Sequence, residues 1–462
     1  MKKSGIATKT GTHFSVSVNC ALHLPHWYLL RYTLPVYQLI SFCGIGVFVG
    51  VAVLFSKNRQ RIDWQLVFRA FLLQLTLALL VLGAPFLGFE GPLAFIFEGA
   101  NGVILKILNF SDEGSRFLFG SLLDSDKHGY IIAFSVLPTI VFMSSLMSVL
   151  YHVGFMQWIV KFFAWLMHKT LKVSGAESLS SAANIFVGQS EAPLVIKPYL
   201  PNVTSSELFS IMVGGMANVA GGVLAAYVGF LKHLVPNIGG HLLTASVISA
   251  PAALMIAKIL VPEVKVPETL GRIPEQKSSP HTNVIEAAAN GASEGVSLAI
   301  NVGGMLMAFI ALISLFDYLL IALGHSISFQ EWAPTLTTEA PQLSLSWFMS
   351  WLFSPVSFFM GIPLQDVGPI SAILGKKTVF NEFVAYLDLA KQGSLYEPRS
   401  VLIASYALCG FANFSSIAIQ IGGIGSLVPN KKSELARFGL LAVLGGSLSS
   451  FITACFAGIL TS

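Results

Sequence analysis

The chain has 462 residues, of which 54% are hydrophobic and 11% charged, with a formal net charge of +4. Soluble domains carry about 25% charged residues, so the composition excludes a water-soluble globular protein and indicates a polytopic membrane protein. The small positive excess needs no nucleic-acid partner, because Lys and Arg in cytoplasmic loops account for it.

Along the chain, Lys2, Lys3 and Lys9 open a segment with no apolar run ahead of the polar stretch Thr8 to Ser17, so no cleavable signal is expected. Apolar runs of about twenty residues or more, long enough to span a bilayer, lie near 34–55, 65–87, 129–151, 205–231, 240–261, 284–323, 399–428 and 437–460. The segment 156–172 carries Trp158, Lys161, Trp165 and Lys169 and reads as an amphipathic helix lying in the interface. Similar interfacial helices are expected near 91–110 and 343–360. The cysteines Cys20, Cys43, Cys409 and Cys455 have no paired spacing and read as free thiols.

The stretches 176–200 and 363–389 are apolar but interrupted near their middles by polar, Gly or Pro residues. Both read as re-entrant helical hairpins. Irregular backbone at bilayer depth is tolerated only inside protein or against a water-filled cavity, so the two tips should face one another or a solute. Each tip also carries a carboxylate and an amide: Gln189-Ser190-Glu191 in the first, Asn381-Glu382 in the second. Each is followed about thirty residues later by an Ala-Asn pair, Ala217-Asn218 and Ala412-Asn413. Ionisable groups at that depth are expensive and mark a substrate or ion pathway, and their duplication points to the paired repeats of a transporter.

Loop charges set the orientation. Lys57, Arg59 and Arg61, then Lys265, Arg272 and Lys277, then Lys431, Lys432 and Arg437 fall on one side, which should be cytoplasmic. Asp112, Glu113, Asp124, Asp126, Glu331, Glu339 and both termini then fall outside. In the long apolar segment, Asn283, Glu286, Asn290, Glu294, Ser297 and Asn301 recur at helical steps among many small residues. This polar face should either hydrogen-bond neighbouring helices and hold the hairpins or touch the solute.

Four motifs carry a family resemblance: Gly188-Gln-Ser-Glu-Ala-Pro-Leu-Val-Ile-Lys-Pro-Tyr-Leu200, Asn283-Val-Ile-Glu-Ala-Ala-Ala-Asn-Gly-Ala-Ser-Glu294, Asn381-Glu-Phe-Val-Ala-Tyr386 and Cys409-Gly-Phe-Ala-Asn-Phe-Ser-Ser416. In that order they closely resemble the concentrative nucleoside transporters, from about the first span to the C-terminus. The chain looks like a prokaryotic-type member, without the additional N-terminal helices of animal relatives.

The resemblance implies an all-α polytopic fold of eight spanning helices, two re-entrant hairpins and interfacial helices, in which an inverted-repeat transport domain moves against a scaffold domain. The boundaries it suggests are an N-terminal extension at 1–30, mainly scaffold at 31–175, and the first hairpin with an unwound helix at 176–231. Then come the fifth and long sixth helices with an interfacial helix at 232–362, the second hairpin with an unwound helix at 363–428, and a last helix at 429–462. It also implies a homotrimer in lipid, in the bacterial inner membrane, taking up nucleosides by cation-coupled, elevator-type symport and catalysing no reaction. No GxSxG, Walker-type or zinc-binding histidine motif argues otherwise.

By resemblance, Glu382 accepts from the ribose hydroxyls with Asn413 and Ser416, and Phe411 packs beside the sugar. Gln189, Ser190 and Glu191 face the base, and Val223 walls its ring. Sodium as coupling ion would lie between the first tip and the unwound fourth helix, held by the side chains of Asn184, Ser190 and Asn218 and the carbonyls of Val187 and Val219. Asn218 stands where the family more often has a hydroxyl residue. Proton coupling through Glu191 or Glu382 is the alternative. Read as residues alone, Glu382 could instead form a structural pair with Lys377, Glu191 could be helix-stabilising or water-bridged, and Ser416 could bond its own i−4 carbonyl. Val223 and Phe411 could be ordinary packing.

Overall fold

The computed structural model describes residues 26–85, 88–128, 131–273, 281–334 and 342–461. Lys2, Lys3, Lys9, Cys20, Lys277 and Glu339 lie outside them. Every major element is helical. In chain order they are α1 (His26–Leu54), α2 (Trp64–Leu82), α3 (Ala94–Phe119), α4 (Leu137–His152), α5 (Phe155–Leu171), α6 (Gly175–Asn184), α7 (Ser205–Ala217) and α8 (Gly221–Leu231). There follow α9 (Ile238–Leu260), α10 (Val284–Ser326), α11 (Leu345–Phe359), α12 (Leu364–Val379), α13 (Glu382–Gln392), α14 (Pro398–Leu408), α15 (Phe414–Leu427) and α16 (Lys432–Leu460).

Among the described residues, seven helices are long and apolar enough to cross a membrane, counting α7 with α8 as one. The seventh expected span, 399–428, is α14 and α15, the broken helix that the resemblance implied there, and neither part alone reaches the roughly twenty residues a span requires. The break has a packing cause. A Cβ on Gly410 would lie 2.9 Å from the carbonyl oxygens of Met216 and Ala217, so the interruption between α14 and α15 is pressed against the one between α7 and α8. Two helices broken at the same depth place freed backbone groups together inside the protein, where such groups are tolerated.

The hairpins form from local chemistry. Ser174 and Glu177 make a capping box that starts α6, and Thr204 and Glu207 make another that starts α7. The return arm of the first hairpin is no α-helix: it holds only short 3₁₀ turns, Ala192–Ile196 and Leu200–Asn202. Pro193, Pro198 and Pro201 remove three backbone donors from it. The second hairpin is helical on both arms, with its tip at Phe380 and Asn381 and the Asn381 side chain accepting from Val384 N–H. α11 and α12 meet at 119°.

The centre of the molecule is α9 and α16, with buried shares of 94% and 83% where α10 has only 6%. The small residues of α10 do permit close contact. Cβ atoms on Gly291 and Gly295 would lie 2.6 Å from Ser148 Cβ and 2.7 Å from Val141 Cα of α4. Along its polar stripe Asn283 caps the helix and Asn290 pairs with His281, while Glu294, Ser297 and Asn301 are exposed. Leu298, Val302 and Met305 line the cavity, and Glu294, Leu298, Asn301 and Met305 follow one another at steps of four and three along one face of α10.

The basic residues gather at one end. Lys57 N–H donates to Leu260 O at 2.9 Å, and Lys431 Nζ to Val203 O at 2.7 Å. Lys57 also sits 4.1 Å over the Phe438 ring. Partial burial there, with Arg437 nearby, holds its ammonium below the ordinary lysine value.

Candidate functional site

Where the two hairpin tips and the two helix breaks converge lies a cavity of about 140 Å³. At about 10–15 Å³ per water, that is roughly ten waters' worth of space, room for an organic solute rather than an ion alone. All eight residues expected at the substrate line it: Gln189, Ser190, Glu191, Val223, Glu382, Phe411, Asn413 and Ser416.

Glu382 is the centre of the polar half. It opens α13 and is buried, with Tyr227 O–H donating to Oε1 at 2.9 Å and Asn413 Nδ2 to Oε2 at 3.0 Å. Lys377 is not its partner: Lys377 Nζ donates instead to Ala407 O at 2.7 Å. Asn413 is held by its own role as the α15 N-cap, its Oδ1 accepting from Ser416 N–H at 2.9 Å and Ser415 Oγ–H at 2.7 Å. Its amide N–H₂ is thereby aimed at the carboxylate.

The first tip is tied to the second break. Gln189 Nε2 donates to Ser416 Oγ at 2.9 Å, and Gln420 Nε2 donates to Gln189 Oε1 at 3.1 Å and to Met212 O at 2.9 Å. Ser416 Oγ therefore serves as an acceptor for Gln189, linking the two halves. Ser190 and Glu191 are exposed to the cavity, Glu191 accepting only a long contact of 3.4 Å from Gly188 N–H. Val223, Phe411, Phe383 and the three apolar side chains of α10 make the opposite wall.

Two participants escaped the sequence reading. Tyr227, fully buried and stacked on Tyr386 at 4.2 Å between ring centroids, orients Glu382 from α8. Gln420 anchors Gln189. Each looks, in sequence, like a single polar residue in an apolar helix.

The five residues expected around a cation belong to the two segments that abut here, the end of α6 with the first tip and the α7–α8 break, and of them Ser190 lines the cavity. Gly221 N–H donates to Phe186 O at 2.9 Å, and a Cβ on Gly214 would lie 3.4 Å from Asn184 Nδ2. Asn184, the last residue of α6, is 1% exposed, yet neither its Oδ1 nor its Nδ2 has a partner among the described residues. The Val187 and Val219 carbonyls accept no hydrogen bond among the described residues. Asn218 caps α7, its Oδ1 accepting from Ser249 Oγ–H and its Nδ2 donating to Gly214 O at 3.2 Å. Ser190 lies toward Gly423 of α15, whose Cβ position is 3.6 Å from Ser190 Oγ. Among the described residues no group of three His, Cys, Asp or Glu side chains could hold a metal ion. The five residues themselves offer only neutral oxygens, amide, hydroxyl and backbone carbonyl, the kind of donor that hard cations take.

Residues 43–122, 133–234 and 241–458 match family profiles described as "Na+ dependent nucleoside transporter N-terminus", "Nucleoside recognition" and "Na+ dependent nucleoside transporter C-terminus". The chain is 40% identical over 440 residues to solute carrier family 28 member 3 of Rattus norvegicus, covering 92% of this chain and 59% of that one. It thus spans less than two thirds of that relative's length. It is 39% identical over 432 residues to the nucleoside permease NupC of Helicobacter pylori, covering 91% of this chain and 97% of that one. The solved structure of CNTnw in an inward-facing substrate-bound state superposes with a TM-score of 0.82 at 38% identity, over 93% of this chain and 98% of that one.

Proposed function

The chain belongs to the Na+-dependent, concentrative nucleoside transporter family, a family of transporters and not of enzymes, and on that premise we propose that it takes up nucleosides by sodium-coupled symport. The observation that carries this is the buried Glu382 at the head of the cavity, its two oxygens each held by one fixed donor. A carboxylate has about four lone-pair sites, so two remain for a ribose diol. Charge-assisted hydrogen bonds to such an acceptor are roughly twice as strong as neutral ones. The base would lie toward Gln189, Ser190 and Glu191, with Val223 against its face, and Phe411 beside the sugar.

Sodium would sit at the junction of Asn184, Val187, Ser190, Asn218 and Val219, the arrangement in which a broken helix supplies carbonyl ligands near the bilayer midplane. The moving body would comprise 176–231 and 363–428, carried past a scaffold of which α10 is the longest part, in a homotrimer in the bacterial inner membrane. Uptake of labelled uridine into proteoliposomes tests the proposal. Accumulation above the external concentration under an inward sodium gradient is expected. Simple equilibration would indicate a channel, and chemical conversion of the uridine an enzyme.

The base-facing wall gives a second expected result. A Cβ on Gly188 would make only ordinary contacts, 3.5 Å from Ala220 Cβ and 3.7 Å from Glu191 Oε1. Gly188→Ser should therefore fold and project a hydroxymethyl group into the cavity, and Val223→Phe should fill more of it. Overpacking costs about 1–3 kcal/mol and should fall harder on purines. Adenosine should lose competition against labelled uridine in both variants; an unchanged adenosine-to-uridine ratio would move the base elsewhere.

A further inference from the structure

The two faces of α5 differ in kind. Met156, Val160, Ala164, Met167 and Leu171 share one face and are buried in the protein. Phe155, Trp158, Lys161, Phe162, Trp165 and Lys169 share the opposite face, and all six are exposed. Four large aromatic rings side by side are disfavoured in water, and lysines are disfavoured in hydrocarbon. Rings and ammoniums on one face fit the headgroup layer between the two, where an interfacial helix lies in plane.

The charge on this face has one sign. α5 contains no Asp or Glu, and Lys172 adds a third exposed ammonium at its C-cap. Among the described residues none of Lys161, Lys169 and Lys172 pairs with a carboxylate. Lys169 Nζ instead stands 5.0 Å over the Trp165 ring. Acids of the adjoining segments are engaged elsewhere: Glu177 with Lys258 at 2.5 Å, and Glu268 with Arg272 at 3.5 Å and Asn202 at 2.9 Å. α5 leads directly into α6, where Gly175 N–H donates to Thr269 O at 3.0 Å, in the loop that carries Lys265 and Arg272. The face therefore lies at the basic end of the molecule, the side expected to be cytoplasmic.

We propose that this face of α5 binds the anionic phospholipid headgroups of the cytoplasmic leaflet, and that the attachment sets the rate of uptake. A zwitterionic headgroup offsets its phosphate with its own ammonium, whereas an anionic one leaves the phosphate to the three lysines. The field of such a leaflet falls off within a Debye length, so only groups at its surface, as these are, feel it. The link to transport is the inner side of the helix. The Phe163 ring lies 6.0 Å from that of Phe186 in the first hairpin, and Phe186 O accepts from Gly221 N–H at the α7–α8 break. Held in the leaflet, α5 gives the first hairpin a fixed surface to pack on; released from it, α5 does not.

The test compares the full chain with Lys161→Gln/Lys169→Gln/Lys172→Gln, whose three sites are exposed and leave folding intact. Retention of phosphatidylglycerol over phosphatidylcholine by the purified protein is read by mass spectrometry, without nucleoside or sodium. Uridine uptake is read in proteoliposomes of phosphatidylcholine with rising fractions of phosphatidylglycerol. The wild type should retain phosphatidylglycerol and take up uridine faster as its fraction rises. Salt at about 1 M, where the Debye length is about 3 Å, should weaken both effects. Each lysine at an anionic surface contributes about 1 kcal/mol, a factor of about five. The triple variant should therefore need more than about tenfold more phosphatidylglycerol for half the effect, beyond most compositions, and arginine at the same three positions should restore it. Equal retention by wild type and triple variant, or wild-type uptake indifferent to phosphatidylglycerol, would overturn the proposal. So would a triple variant that keeps its lipid but changes oligomeric state, which would put a second copy of the chain on this face. Lysine-dependent retention with no uptake in any lipid would fault the nucleoside reading and leave the lipid site standing.

Discussion

Glu382→Gln is expected to weaken nucleoside binding by about 1.5–3 kcal/mol, roughly 10- to 150-fold in Kd, the range for hydrogen bonds to charged groups. The substitution keeps the shape of the side chain but removes more than charge. Tyr227 O–H and Asn413 Nδ2 each donate to one carboxylate oxygen. Asn413 is not free to turn away, because its Oδ1 is engaged by Ser416 N–H and Ser415 Oγ, so the glutamine oxygen must stay with Asn413 and its N–H₂ must turn to Tyr227. The Tyr227 oxygen can accept from that amide, but its own O–H then loses the Glu382 acceptor in a buried site, which is costly. Nucleosides lacking ribose hydroxyls should lose affinity in the wild type and lose much less in the variant. Equal losses in both proteins would separate Glu382 from the sugar.

Tyr227→Phe isolates the positioning component of the same argument. It leaves the carboxylate in place and removes one of its two holders, so a smaller loss is expected than for Glu382→Gln. Stacking on Tyr386 survives, since the ring is retained.

The hairpins were legible because their tips break apolar runs with residues that lipid does not accept, Gln189-Ser190-Glu191 and Asn381-Glu382. The structure brings both tips to one cavity. Tyr227 was not legible: within Gly221–Leu231 it has the look of a core aromatic, and its partner lies 155 residues away. Spacing reports which face of a helix a residue occupies and says nothing of what that face meets. The interruption of 399–428 was implied by the family resemblance alone and not by the apolar run itself. Hydropathy there is continuous, and the break comes from the approach of Met216 and Ala217 carbonyls to Gly410, a contact between distant segments. In the first hairpin, three prolines that were visible in sequence exclude a helical return arm, and the expectation of a helical hairpin gave them too little weight.

Replacing sodium by choline at fixed pH is expected to abolish concentrative uptake, and Asn184→Ala to remove most of the response to sodium while leaving the sodium-free protein no less stable. The second half of that statement is unusual for a buried polar residue and follows from its environment. Asn184 is 1% exposed with neither amide atom paired among the described residues, and an unsatisfied buried polar group costs about 1–3 kcal/mol. Deleting it relieves that cost in the sodium-free state. On the proposed sodium reading, Oδ1 would join the Val187 and Val219 carbonyls, which also accept no hydrogen bond among the described residues, and the same amide would become stabilising. Asn218 contributes less freely, because Ser249 already donates to its Oδ1. A ligand that binds only the folded state stabilises it by about 2.7 kcal/mol at one hundred times its Kd. Melting of the wild type should therefore rise with sodium and not with choline, and that rise should be largely missing from Asn184→Ala. Uptake that continues undiminished in choline and collapses with a protonophore would assign coupling to a proton on Glu191 or Glu382. An Asn184→Ala protein that melts lower without sodium, and still responds fully to it, would make the amide structural.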